Sequence, residues 1–164
     1  MKKAPVAAAT APSAAIQRCA TNIQTGWPHR DSDLDLQAAT GRSAREVAAR
    51  EGIEALHAEE LRHLVDALAA DQPSVISAAA STIDEPAGRA ALADPSIAVV
   101  FLRVAPEVAA TRMTKGDHRP RPEDLAVQAA RREPWFRDVA SFEFDTGTMR
   151  PNAIVRAIVE GLGG

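Results

Sequence analysis

A short apolar run past the middle of the chain constrains the fold more than any other stretch. Residues 97–102 read Ile-Ala-Val-Val-Phe-Leu and are bounded by Pro95 and Pro106. An apolar run without polar alternation is typical of a strand that is buried on both faces of a parallel sheet. Because parallel strands are joined by helical crossovers, this run predicts helices on both faces of the sheet.

The rest of the chain alternates in the same way. Apolar residues at helical spacing predict an amphipathic helix over 53–69, and Ser43 with Glu46 forms a capping box that opens the helix before it. The last helix is expected to end at Gly161. The alternation predicts one α/β domain over residues 1–164. Its further strands are expected at 5–10 (an edge or first strand), 28–31, 74–77 and 142–145, and its further helices at 13–23, 34–40, 87–93, 108–113, 123–138 and 151–161.

Composition excludes several classes of protein. The net charge of −3 provides no basic field for nucleic acid, and no apolar run approaches the roughly 18 residues of a membrane helix. The single cysteine fits a reducing compartment. The lysines at positions 2 and 3 precede an Ala-rich segment, but residues 4–15 contain prolines and no Leu, Ile or Phe, which makes a poor export signal. We therefore expect a cytoplasmic monomer that binds neither nucleic acid nor membranes.

Two carboxylates follow the second predicted strand. If residues 28–33 are extended, Asp31 and Asp33 point to the same face, roughly 6.5 Å apart along the chain. Carboxylates at a strand end can hold Mg²⁺ or accept a proton from a substrate hydroxyl. The alternative is a polar turn whose Asp residues cap the next helix, with Asp33 capping residues 34–40.

Seven short motifs, none of them specific alone, follow one another in the chain. They are Asp31-Ser32-Asp33, Thr40-Gly41-Arg42-Ser43, the helix from Gly52 to Glu60, the strand at 99–102, Arg119-Pro120, the Arg-Glu-Pro-Trp-Phe of 132–136, and Asp145-Thr146. Their order over roughly 140 residues resembles the shikimate kinase family, P-loop kinases that phosphorylate a ring hydroxyl. The resemblance implies a three-layer P-loop kinase fold, with ATP and Mg²⁺ as cofactors and a small hydroxylated acid as substrate.

The resemblance also implies roles for individual residues. Asp33 would hydrogen-bond and help to activate the substrate hydroxyl, and Asp31 would orient Mg²⁺ through water. Arg119, on a lid at 114–122, would contact the ATP phosphates and stabilise the charge that develops on transfer. Arg132 would pair with the substrate carboxylate as a bidentate fork. Without the resemblance, Arg119 is an exposed loop charge and Arg132 belongs to a solvated helix face.

The chain departs from the family at the phosphate-binding loop. The family's spacing places this loop at about 8–16, yet that segment contains no glycine and no lysine. Ser13 could cap the following helix, while Ala14 stands at the position of the P-loop lysine and Ala15 at that of the metal-binding hydroxyl. Three readings stay open: an active phosphotransferase, an inactive pseudokinase that binds a small anion or a partner, and an N-terminal segment that is not the native one.

The predicted substrate side differs as well. His57 stands where the family has an arginine that binds carboxylate, and Ala79, Ala80 and Ser81 align with three glycines that allow the backbone to approach the ring. The added Cβ atoms would crowd a ring placed there. The plainer readings are a partly buried, hydrogen-bonded histidine and an ordinary turn between a strand and a helix.

Overall fold

The computed structural model describes residues 6–9, 26–112 and 124–163. The described strands are β1 (Val6–Ala9), β2 (His29–Asp31), β3 (Val75–Ala78), β4 (Ala98–Arg103) and β5 (Phe142–Asp145). The described α-helices are α1 (Ser32–Thr40), α2 (Ala44–Glu51), α3 (Ile53–Ala69), α4 (Pro86–Leu92), α5 (Pro106–Arg112), α6 (Leu125–Val139) and α7 (Pro151–Gly163), and a 3₁₀ helix spans Ala80–Ile83.

The strands form one parallel sheet in the order β2-β3-β1-β4-β5. The register pairs Val6 of β1 with Val75 of β3 on one side and with Ala98 of β4 on the other. The α/β class and the parallel sheet are therefore confirmed. The option that β1 is an edge strand is wrong, because β1 lies in the middle of the sheet.

Alternate side chains of β4 enter two separate cores, as its continuous apolar sequence predicted. Val99 and Phe101 pack with residues of α3, α4 and α6, and the ring of Phe101 stacks on Phe136 of α6 at 4.9 Å. Val100 and Leu102 pack on the other face against Ile154 and Ile158 of α7. The sheet is thus covered by helices on both faces.

Most predicted elements are confirmed with boundary shifts of one or two residues, and the bounds of α3 agree with the prediction. The capping box of Ser43 and Glu46 is present. The predicted end of the last helix at Gly161 is wrong, since α7 continues to Gly163. A Cβ on Gly161 would lie 2.5 Å from the ring of Phe142, so this glycine permits close packing of the helix on β5. The helix predicted at 13–23 and the lid at 114–122 lie outside the described residues.

In the described ranges, no helix combines the length and the apolar character that crossing a bilayer requires.

Candidate active site

The candidate site lies at the carboxyl end of the parallel sheet. β2 ends at Asp31 and β3 ends at Ala78, and the two strands are paired with Asp31 opposite Ser77. The segments that follow them, α1 and the 3₁₀ helix, therefore start at the same edge. Open parallel α/β sheets bind their ligands in the crevice outside this edge.

Asp31, not Asp33, caps the helix that follows β2. Asp31 Oδ1 accepts hydrogen bonds from the backbone N–H groups of Asp33 (3.0 Å) and Leu34 (3.2 Å), and α1 begins at Ser32. The predicted cap at Asp33 and the extended arrangement of the pair are both wrong. Asp33 instead lies in the first turn of α1, where the helix dipole favours a carboxylate. Asp31 is only 6% exposed.

A polar cluster, consisting of Arg30, Asp35 and His63, joins the secondary-structure elements near this edge. Asp35 Oδ2 accepts hydrogen bonds from Arg30 Nε (2.5 Å) and His63 Nε2 (2.8 Å). Partial burial acts to raise the pKa of Asp35, but these hydrogen bonds and the positive charges of both partners outweigh it. The pKa of Asp35 therefore lies below its ordinary value of 3.8. The cluster ties β2, α1 and α3 together.

Glu60 of α3 is a buried carboxylate that was not among the predicted site residues. It is 5% exposed and accepts a hydrogen bond from the hydroxyl of Ser81 in the 3₁₀ helix. The sequence did indicate Glu60, because this residue is the last one of the motif that also contains His57. His57 lies one turn earlier on α3 and is half-buried.

The segment after β3 is a turn that leads into the 3₁₀ helix. The carbonyl of Ala79 accepts hydrogen bonds from the N–H (3.2 Å) and the hydroxyl (2.7 Å) of Thr82, and Ala79 and Ala80 are both half-buried. Ser81 is buried and its hydroxyl is directed at Glu60. Three side chains were expected to crowd a substrate ring, and one of them, that of Ser81, instead hydrogen-bonds to Glu60.

Arg132 of α6 does not lie on a solvated helix face, because its guanidinium is held by Asp84. Arg132 Nε lies 2.9 Å and 3.1 Å from the two carboxylate oxygens of Asp84, and Nη2 lies 2.5 Å from Oδ2. The neighbouring Arg131 contacts the same carboxylate at 3.4 Å. The structure thus places Arg132 at the end of the segment 79–81. Its guanidinium, however, is already bound to a carboxylate of the chain itself.

Asp145 and Thr146 form the turn that ends β5. The carbonyl of Arg103 on β4 accepts a hydrogen bond from the N–H of Thr146 (2.8 Å), and Asp145 binds the guanidinium of Arg103 (3.0 Å). Asp145 also accepts a hydrogen bond from the N–H of Gly147 (2.8 Å). These contacts show that both residues belong to a turn at the end of a strand.

The remaining predicted site residues fall where the structure gives no description. Ser13, Ala14 and Ala15, predicted for the phosphate-binding loop, and Arg119, predicted for the lid, all lie outside the described residues. Their roles stay predictions.

Comparison with known proteins decides the family. The family model "Shikimate kinase" matches residues 19–163. The chain belongs to the shikimate kinase family. A shikimate kinase from Mycobacterium tuberculosis is 31% identical over 138 residues, which are 80% of this chain and 77% of that protein. A second one, from Moorella thermoacetica, is 30% identical over 142 residues, which are 84% and 80% of the two chains.

A solved structure supports the fold of this chain. Shikimate kinase from Acinetobacter baumannii in complex with shikimate superposes with a TM-score of 0.82, at 19% identity, over 98% of this chain and 94% of that one. At this identity the likeness shows the fold alone. It confirms the P-loop kinase fold that the seven motifs implied.

Enzymes of the shikimate kinase family use ATP and Mg²⁺, and the described residues fit the metal only in part. Among them, no group of three or more His, Cys, Asp or Glu side chains could hold a metal ion. Asp31 commits Oδ1 to the helix cap, while Oδ2 accepts no hydrogen bond from the described residues. This single oxygen suits a contact to one water of a hydrated Mg²⁺, which keeps several of its waters in kinase sites.

Proposed function

We propose that the chain transfers a phosphoryl group from ATP to a hydroxyl of shikimate or a related small hydroxy acid. The observation that carries this proposal is the family match over residues 19–163. Asp33 belongs to the motif Asp31-Ser32-Asp33, whose resemblance to the family motif supports its assignment, and it lies in the first turn of α1. The position of Asp33, in the first helical turn at the carboxyl end of the sheet, supports a role as the group that orients and deprotonates the substrate hydroxyl. The proposal also includes its location and oligomeric state. The single cysteine fits the reducing cytoplasm, and we expect the protein to act there as a monomer.

The other roles follow from the same proposal. Asp31 would orient a water of Mg²⁺ through Oδ2, and the metal would neutralise charge on the phosphates. Arg119 would stabilise the charge that develops during transfer. His57, one turn before Glu60 on α3, would face the substrate as a donor that is weaker than the arginine of the family, because an imidazole lacks the five N–H donors and the planar fork of a guanidinium.

A second function is favoured by one observation, the absence of the motif Gly-x-x-x-x-Gly-Lys-Ser/Thr from the sequence. Backbone N–H groups and the lysine of this motif supply much of the electrostatic stabilisation in P-loop kinases. A family member without them would bind a small anion or a partner and transfer no phosphate.

A coupled assay of ADP release with Mg-ATP and shikimate decides between the two functions. The proposal expects turnover that depends on shikimate, in a range of about 1–100 per second for an ordinary kinase. Asp33→Asn should lower kcat/KM by about 10²–10⁴-fold, the usual contribution of an acid or base. Asp66→Asn is the matched control, since Asp66 is exposed on α3 and, among the residues that the structure describes, forms only a long ion pair at 3.6 Å with Arg62.

Turnover that does not depend on shikimate, or that Asp33→Asn leaves unchanged, would contradict the proposal. No release of ADP above background, with shikimate or with a related small hydroxy acid, would refute the proposal and favour the second function.

A further inference from the structure

The cation expected to bind a substrate carboxylate is already paired within the chain. The Arg132 guanidinium uses both Nε and Nη2 on the carboxylate of Asp84, and Nη1 lies 3.4 Å from Oε1 of Gln128. The Arg132 side chain is 13% exposed and that of Asp84 is 16% exposed. The Nε/Nη2 edge of the fork, which could receive a substrate carboxylate as a bidentate pair, is therefore already occupied by a carboxylate of the chain.

The backbone at Asp84 is fixed by an independent set of contacts. Arg89 of α4 donates from Nη1 to the carbonyl oxygens of Ile83 (2.7 Å) and Asp84 (2.8 Å). The guanidinium of Arg89 lies in turn over the ring of Trp135 on α6, 4.6 Å from its centroid. Asp84 is thus joined to α6 directly by its carboxylate and indirectly, through Arg89, by its backbone. A substrate carboxylate would have to compete with an internal carboxylate that is already positioned.

The location of the pair connects it to the candidate site. Asp84 directly follows the 3₁₀ helix, in which Ser81 contacts Glu60 of α3, and that helix starts at the carboxyl end of β3. Displacing Asp84 from Arg132 would leave a carboxylate without its main partner in a half-buried place, which is unfavourable. The pair is therefore expected to stay closed when a small molecule enters the crevice.

We propose that Asp84 is a specificity-determining residue of this site, which occupies Arg132 in place of a substrate carboxylate. The proposal rests on the proposed function, because it concerns the same site. It predicts a site that selects its substrate by its hydroxyl groups and draws little affinity from its carboxylate. The shikimate acid and a neutral ester of it should then bind about equally well.

The test measures binding without ATP, by titration calorimetry with shikimate and with shikimate methyl ester. We expect the wild-type protein to bind the two ligands within about threefold of each other. Asp84→Asn removes the competing negative charge from the fork of Arg132 and should strengthen the binding of shikimate by about tenfold or more, while the methyl ester is unaffected. Asp84→Asn/Arg132→Gln should lose this gain. Glu85→Gln removes the same charge from an exposed neighbour and should change nothing.

Because Asp84→Asn breaks a largely buried ion pair and is expected to cost stability, a second measurement uses the wild-type protein alone. The side-chain Nε–H signal of Arg132 in ¹H–¹⁵N spectra should stay in place when shikimate is added at about 10 mM, a concentration that saturates even weak sites. A shift of this signal with shikimate but not with the ester would show that the carboxylate displaces Asp84, and it would overturn the proposal.

Two other results would overturn it. One is a wild-type protein that binds shikimate at least tenfold more tightly than its ester. The other is a folded Asp84→Asn variant without a gain for shikimate, including the case in which neither protein binds it. Because ATP is absent, a lack of phosphoryl transfer, which would refute the proposed function, does not bear on these results.

Discussion

Gly88→Ala is expected to destabilise the protein, although alanine is normally the better helix residue. Gly88 is buried in α4, at the place where this helix crosses the 3₁₀ helix after β3. An ideal Cβ on Gly88 would lie 1.9 Å from the carbonyl oxygen of Thr82 and 2.9 Å from its carbonyl carbon, with Leu61 Cδ1 at 3.3 Å. The nearest obstacle is backbone, which cannot rotate away as the end of a flexible side chain can.

The size of the effect follows from two opposing contributions. In a helix interior, Ala is more favourable than Gly by about 0.8–1.0 kcal/mol. Real Cβ atoms essentially never lie within 3.0 Å of such an atom, so the two backbones must separate by about 1.1 Å, the difference between 3.0 and 1.9 Å. Thr82 is only 1% exposed, and overpacking of this kind costs about 1–3 kcal/mol and occasionally more. We expect a net loss of about 2 kcal/mol, because a backbone clash lies at the upper end of that range.

Urea unfolding at pH 7, followed by circular dichroism, measures the free energy of unfolding of the variant. A loss of about 2 kcal/mol corresponds to a fall in Tm of about 4–8 °C for a chain of this length. The matched control is Ala87→Ser, which adds one atom to the exposed neighbouring residue and should stay within about 0.5 kcal/mol of the wild type. If Gly88→Ala were as stable as the wild type or more stable, the helix would not be pressed against the Thr82 carbonyl, and the reasoning would be refuted.

Two further predictions concern the acidic residues after β2. Asp31→Ala should lower the free energy of unfolding by about 1 kcal/mol through loss of the helix cap, whereas Asp31→Asn, which can still cap, should cost less; equal losses in urea unfolding would argue against the capping role. For Asp35, the lowered pKa means that its stabilising effect is complete well above the unfolded pKa of 3.8 and is lost as the pH falls through the folded value. The stability difference between wild type and Asp35→Asn should therefore shrink between about pH 5 and pH 3 in urea unfolding, and a constant difference would contradict the assignment.

The elements that could be predicted are those whose signal is local. The apolar run at β4, the helical spacing of α3 and the capping box of Ser43 each lie within a few residues of chain, and each is confirmed. The misplaced cap shows the limit of this approach. Asp31 and Asp33 are both suitable capping residues, and the choice between them depends on where the pairing of β2 with β3 ends.

The site was predicted less completely because its contacts join distant parts of the chain. The burial of Glu60 depends on the packing of α3 against the 3₁₀ helix, 21 residues further along. The partner of Arg132 is 48 residues away from it in sequence, and nothing near Arg132 indicates that its charge is already balanced. From the sequence, Gly88 is simply a poor helix former. Only the structure shows that the Thr82 carbonyl lies beside it and leaves no room for a side chain.

The sequence by itself determined the α/β class, the order of the elements, the family and the absence of the P-loop motif, because each of these depends on residue types along the chain and on their spacing. Only the tertiary structure decided that β1 is central, that Asp31 rather than Asp33 caps α1, and that Asp84 fills the fork of Arg132. Those outcomes depend on which surfaces meet when strands pair and helices pack on the sheet. A charge in the sequence shows what a side chain can bind, and the packing of its neighbours determines what it does bind.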